Sequence, residues 1–193
     1  MTDAQLAISS QNGDREAFGA LACRVGGSLQ GLLRRELGDA EAARDLCQET
    51  FIRAWLHIGR LRDPESFRPW IYRIAVNMCR DRLRSSQRGA YEIELDDEAN
   101  DKRSQDPDPL DRLESLDAAE MVDRMLARLS AEQRVAIVLR EIHGLTSTEI
   151  GRITGVSPAT VRTRIYYGLM TLRRMFSEGD GVAAGKAAKG TEE

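Results

Sequence analysis

Thr160, Arg162 and Thr163 lie in the segment GLTSTEIGRITGVSPATVRTRI, Tyr166 follows it directly, and their types suit recognition of duplex DNA. A guanidinium bonds guanine bidentately, a threonine offers a hydroxyl or a methyl, and exposed N–H groups at a helix start hold a phosphate. The spacing predicts the elements that would present them. Thr146 with Glu149 forms a capping box, and Leu145 with Ile150 supplies a hydrophobic staple, so a helix begins at Ser147. Gly155 ends it. Ser157 as N-cap and Pro158 at the first helical position then start another helix, whose expected buried stripe is Val161, Ile165, Leu169 and Leu172. Two helices across a turn of about three residues make a helix-turn-helix, whose second helix enters the major groove by its N-terminal residues. Ser157, Thr160, Arg162, Thr163 and Tyr166 are therefore the candidate duplex contacts.

A second set of residues suits unpaired nucleic acid. Of the aromatic residues, Phe51, Trp55, Phe67, Trp70 and Tyr72 cluster between positions 51 and 72, and Arg60, Arg62, Arg68, Arg73, Arg80, Arg82, Arg84 and Arg88 interleave or follow. A positive surface with aromatic platforms is what a single strand with unstacked bases needs. Phe51 and Trp55 are one helical turn apart and read as core, whereas Trp70 fits either role. Enzyme chemistry has no comparable support: His57 and His143 are isolated, no glycine-rich phosphate loop occurs, and no carboxylate pair is clearly placed in a cleft. No cofactor or metal is expected. Cys23, Cys47 and Cys79 lack C-x-x-C spacing and read as reduced, small apolar residues, with a thiol switch as the other reading.

The net charge of −3 conceals a sorting of charge along the chain. Residues 51–88 sum to +6 and residues 124–176 to +6, while residues 89–123 between them sum to −10. Two basic modules thus flank an acidic segment. That segment, with Pro107 and Pro109 and few apolar residues, reads as a flexible linker, either a solvating spacer or an acidic mimic that shields the basic modules. The Gly- and Ala-rich tail 177–193 is expected to be disordered. At 193 residues the chain suits one or two small domains. Every apolar run is short of the roughly 20 residues needed to cross a bilayer, and the N-terminus lacks the basic and apolar parts of a secretory signal, so the expected compartment is the cytoplasm, with no membrane insertion.

Elsewhere apolar residues recur at three and four, which predicts an all-α fold. Residues 14–37 read as one or two helices, 40–58 as the next, and 66 to about 85 as another with Ile71, Ile74, Ala75, Met78 and Leu83 inward. Residues 1–88 form one helical domain. Residues about 111–129 and 131–142 read as helices ahead of the helix-turn-helix, so the second domain spans 120–176 and the linker 89–119.

The stretches GDREAFGAL, DLCQETFIRAWLHI, FRPWIYRIAVNMCRDRLR and LTSTEIGRITGVSPATVRTRI together resemble the bacterial RNA polymerase sigma factors of the extracytoplasmic-function (ECF) type. The resemblance spans about 14–88 and 120–176. It implies a promoter-specificity subunit that binds the RNA polymerase core (beta and beta-prime subunits), reads and opens the minus-ten element of promoter DNA with its first domain, and reads the minus-thirty-five element with its second. It also implies an anti-sigma factor as partner. Asp45, Gln48 and Glu49 match the main core-binding helix, where their i, i+3, i+4 spacing makes one acidic and polar face for a basic coiled coil. The loop from Gly59 to Phe67, carrying Arg60 and Arg62, and the helix RPWIYRIAVN match the elements that hold an extruded minus-ten base. In that match Asn77 is the base reader, Arg73 and Arg80 hold phosphates, and Phe67 and Trp70 belong to the same set.

The chain departs from the family where Tyr166, Tyr167, Gly168 and Leu169 replace a commonly basic helix face, which weakens a phosphate clamp there while leaving Tyr166 as a contact. Gly168 inside a helix costs up to about 1 kcal/mol relative to Ala, for which close packing is one reason. Val25 replaces a frequent aromatic in the first helix. A stand-alone helix-turn-helix repressor is the alternative function, but it leaves the N-terminal module unexplained.

Overall fold

The structure, a computed structural model, describes residues 1–93 and 113–187, with side chains at 1–85 and 120–177. Among the described residues every regular element is helical: α1 (Asp3–Gln11), α2 (Arg15–Leu37), α3 (Ala40–His57), α4 (Phe67–Ile93), α5 (Leu113–Ala127), α6 (Ala131–Ile137), α7 (Ser147–Thr154) and α8 (Pro158–Ala187). Two 3-10 turns, Ile58–Arg60 and Pro64–Ser66, join α3 to α4, and a π-helical turn, Val138–Ile142, follows α6. No helix of the described residues is long and apolar enough to cross a membrane.

The helix starts follow from side-chain caps. Asp14 accepts from the N–H groups of Glu16 and Ala17 to open α2, and Asp39 from those of Glu41 and Ala42 to open α3. Gly38, at φ 71°, makes the left-handed turn between them. In α2, Phe18, Leu21, Val25, Leu29, Leu32 and Leu33 face inward, where they meet Ala43, Leu46 and Ala54 of α3 and Ile71, Ala75 and Val76 of α4. Helix α1, at residues the sequence reading leaves without an element, packs on this bundle through Leu6 and Ala7. Its capping box of Thr2 and Gln5 is present in the sequence.

Two expected helix ends are corrected. Helix α4 runs past Ser85 to Ile93, so it enters the segment read as linker. No proline interrupts residues 85–93, and one glycine costs only about 1 kcal/mol. Helix α8 likewise continues to Ala187 instead of ending before a disordered tail at 177; this stretch also lacks proline, although Gly179, Gly181 and Gly185 count against its alanines in helix propensity. Of the expected linker 89–119, residues 113–119 belong to α5, and residues 94–112, like 188–193, lie outside the described residues.

Both modules contribute to one apolar core, which extends from α1 through α4 into Leu126, Leu129, Val135, Leu139, Leu145 and Ile150. Charge pairs line the seam between them. Glu36, at the end of α2, has a side chain only 4% exposed and meets Arg134 of α6 at 3.1 Å. Burial pushes its carboxyl above the usual range, and the Arg134 guanidinium pulls the other way. Asp123 of α5 holds Arg34 and Arg35 together, each at 2.8 Å.

His143, after the π-helical turn, stacks on Tyr72 of α4 with ring centroids 5.1 Å apart, and its Nε2 has no hydrogen-bond partner. Burial, and then the charges of Arg68 and Arg35, lower its pKa to about 4. The sign of the linkage is fixed: the fold prefers neutral imidazole, so this contribution to stability is whole above pH about 6.5 and declines as pH falls towards about 4. Glu36 opposes it in acid, because its folded carboxyl takes up a proton before the unfolded one does. His143→Phe keeps a ring on Tyr72 and removes the titration. Its stability advantage over the parent is expected to be about 2 kcal/mol larger at pH 5 than at pH 7.5 in urea unfolding. Parallel pH profiles for the two proteins would contradict this.

Candidate nucleic-acid interface

The helix-turn-helix forms as its caps require. Thr146 accepts from the Glu149 N–H at 3.2 Å while the Glu149 carboxylate accepts from the Thr146 N–H at 2.7 Å, completing the box that opens α7. Gly155, at φ 77°, ends α7, and Ser157 Oγ accepts from the Thr160 N–H at 3.1 Å to open α8. The tightness of the unit rests on Gly151, since a Cβ there would lie 2.7 Å from the Val156 carbonyl oxygen, a backbone atom that cannot swing away. Gly151→Ala is expected to destabilise the C-terminal module by about 1–3 kcal/mol, the usual cost of overpacking. Thermal melting that leaves the variant as stable as the parent would show that the turn can relax.

Ser157, Thr160, Arg162, Thr163 and Tyr166 are all exposed, and the last four share the outward face of α8. Their hydroxyls are not equally available. The Thr163 Oγ1 donates to the Ala159 carbonyl at 3.1 Å, which engages its hydroxyl hydrogen within the helix, and the Thr160 Oγ1 lies 2.9 Å from Ser157 Oγ. Arg162 therefore supplies the outward polar reach, with Tyr166 beyond it. The buried stripe differs from the expected one: Val161 is buried and Ile165 and Leu172 are partly buried, but Leu169 is 42% exposed. Gly168 takes its place, and a Cβ there would come within 2.5 Å of Ile137 Cδ1 of α6. Close helix contact explains this glycine.

In the N-terminal module, Arg73 and Asn77 are exposed one turn apart on α4, and Trp70 and Arg80 continue the same stripe, partly buried. Arg60 and Arg62 are exposed on the connection between α3 and α4, on either side of buried Leu61. Phe67 is corrected. Its side chain is fully buried and meets Trp70 at a ring-centroid distance of 6.1 Å, so it anchors the start of α4 instead of facing a base. Arg80 is engaged within the chain: its Nη1 donates to the Thr154 carbonyl at 3.2 Å, at the C-terminal end of α7 where helix carbonyls lack intrahelical partners.

Helix α3 presents Asp45, Gln48 and Glu49 on an exposed face, with Glu49 paired to Arg53 at 2.7 Å. The sequence reading missed the continuation of this face. Ile52 and Leu56, 60% and 69% exposed, follow Asp45 at i+7 and i+11, so an acidic patch passes into an apolar ridge. Heptad-like spacing was the available signal. Beside the ridge, Arg15, Phe18, Phe51 and Trp55 line a shallow hollow of about 350 Å³. Gln11 was missed as well: its Nε2 donates to the carbonyls of Ile58 and Leu61, at 3.2 and 2.7 Å, across the turn that carries Arg60. Burial raises the thiol pKa values of Cys47 and Cys79, the latter to about 11, as expected of small residues packed in an interior.

A helix-turn-helix on one module and a basic, arginine-bearing helix on the other define a two-module DNA-reading protein. Residues 22–89 match the model of Sigma-70 region 2, and residues 119–172 that of Sigma-70 region 4. The chain is 33% identical over 172 residues to the RNA polymerase sigma-H factor of Pseudomonas aeruginosa, covering 85% of this chain and 88% of that one. It is 30% identical over 177 residues to the ECF RNA polymerase sigma factor SigW of Bacillus subtilis, covering 87% and 93%. Among solved structures it is similar to CnrH in complex with the cytosolic domain of CnrY, with a TM-score of 0.69, 27% identity, and 91% and 97% of the two chains covered. The chain belongs to the sigma-70 family as an ECF sigma factor, a promoter-directing subunit of RNA polymerase; a stand-alone repressor is not favoured.

Proposed function

We propose that the two modules divide promoter recognition between the faces described above. The domain bearing α3 and α4 docks on core polymerase through Asp45, Gln48 and Glu49, with Ile52 and Leu56 extending that contact into apolar surface. The exposed loop arginines Arg60 and Arg62, with Trp70, Arg73, Asn77 and Arg80, hold and read the opened minus-ten strand. Ser157, Thr160, Arg162, Thr163 and Tyr166 read the minus-thirty-five duplex. The observation that carries this reading is that each family match coincides with a folded module that turns most of these residues outward, Trp70 and Arg80 being partly buried.

The seam bears on this function. Elements named minus-ten and minus-thirty-five lie about 25 base pairs apart, roughly 85 Å of duplex. A hydrogen bond between Arg80 and the Thr154 carbonyl cannot coexist with both readers seated on such a duplex, so the modules part in the working state. The chain acts in the cytoplasm without catalytic residues of its own. Its likeness to CnrH, solved in complex with the cytosolic domain of CnrY, supports a further protein partner, and the family resemblance makes an anti-sigma factor the expected one.

Co-elution from a sizing column tests the reading: the chain is expected to move with core polymerase at one copy per core. A chain that elutes alone at micromolar concentrations of both would overturn it.

A further inference from the structure

We infer that Gln11 is a positioning residue for minus-ten strand capture, acting through the loop that joins α3 to α4. The inference rests on the assignment of that loop to the extruded base. Helix α1 lies outside the segment matched to region 2, which begins at residue 22.

The turn at 58–61 has one internal bond of its own, from the Leu61 N–H to the Ile58 carbonyl at 3.0 Å. The Gln11 amide spans the same two residues, placing one Nε2 on the carbonyls of both Ile58 and Leu61. A primary amide nitrogen carries two hydrogens, so both are satisfied and the side chain's orientation is fixed, because an amide oxygen in that place would face two carbonyl oxygens. Between the clamped residues stand Gly59, with open space around it, and exposed Arg60; exposed Arg62 follows directly.

Helix α1 is itself held, so the clamp has a fixed base. Leu6 and Ala7 enter the core, and Arg24 of α2 ties down the other end of the helix through Asp3 at 2.6 Å and the Met1 carbonyl at 3.1 Å. The buried side chains of Ile58 and Leu61 seat the turn from below, while Gln11 fixes its backbone. A loop already ordered before binding loses less conformational freedom when a base arrives. Gln11 therefore acts on the grip of the extruded base and leaves duplex reading by α8 alone.

The test uses holoenzyme and a single-stranded minus-ten oligonucleotide, either intact or abasic at the extruded position. Gln11→Ala is expected to weaken binding of the intact strand about five- to tenfold and to leave binding of the abasic strand unchanged. Gln11→Glu keeps the shape but has no donor, so it is expected to lose at least as much; it carries the test should Gln11→Ala loosen the whole domain. Equal losses on both strands, or a Gln11→Glu protein that behaves as the parent, would reduce Gln11 to packing and overturn the inference. A parent holoenzyme that binds both strands equally would overturn the loop assignment, and the inference with it.

Discussion

Asp45→Lys combined with Glu49→Lys is expected to weaken binding to core polymerase by about 2–4 kcal/mol, roughly 30- to 700-fold. The reasoning is electrostatic. The face presented by α3 is acidic, and replacing two carboxylates with ammonium groups sets like charges against the basic surface proposed to meet it, which costs several kcal/mol at a docked interface. The fold should not suffer, because both residues are exposed and the pair Glu49 makes with Arg53 is a surface pair of little net value. Unchanged helical circular dichroism with lost core affinity is the expected pattern, measured by fluorescence titration. Undiminished affinity would remove this helix face from the interface.

Arg162→Ala and Asn77→Ala are expected to fail differently, because the proposed division gives the two residues different physical work. In the proposed division Arg162 reaches a base edge in intact duplex, so its loss should cost about 1–3 kcal/mol at one minus-thirty-five position and relax discrimination there. In the same proposal Asn77 faces bases that must leave the stack, where unpairing costs about a few kcal/mol that the protein's grip must offset. A promoter with a pre-opened minus-ten bubble has already met that cost. Permanganate footprinting should accordingly show the bubble rescuing Asn77→Ala but not Arg162→Ala. Equal rescue of both, or of neither, would mean the reading is divided between other residues.

The parts of this architecture that were legible in the sequence are those specified within one helical turn. Thr146 with Glu149, Gly155, and Ser157 with Pro158 each act on backbone groups three or four residues away, so their types fix the helix-turn-helix without reference to the rest of the chain. The exposed face of Asp45, Gln48 and Glu49 follows from the same periodicity. Phe67 shows where local reading stops: composition places it among arginines that suit a nucleic acid, but packing puts its ring in the core. Leu169 and Gly168 exchange roles for a similar reason, since only the closeness of Ile137 makes the glycine the inward residue. The seam pairs join residues far apart in the chain, Glu36 to Arg134 and Asp123 to Arg34 and Arg35, and no short-range pattern announces them. Gln11 is the same case, because its partners lie 47 and 50 residues away.

The central claim is that this chain confers promoter choice on RNA polymerase. Run-off transcription with purified core and a template carrying both elements tests it most directly. Transcripts should start at a single site only when core and chain are both present, and should fall away when either the minus-ten or the minus-thirty-five sequence is scrambled. Tight sequence-specific duplex binding by the free chain, with no new start site when it is added to core, would contradict the account.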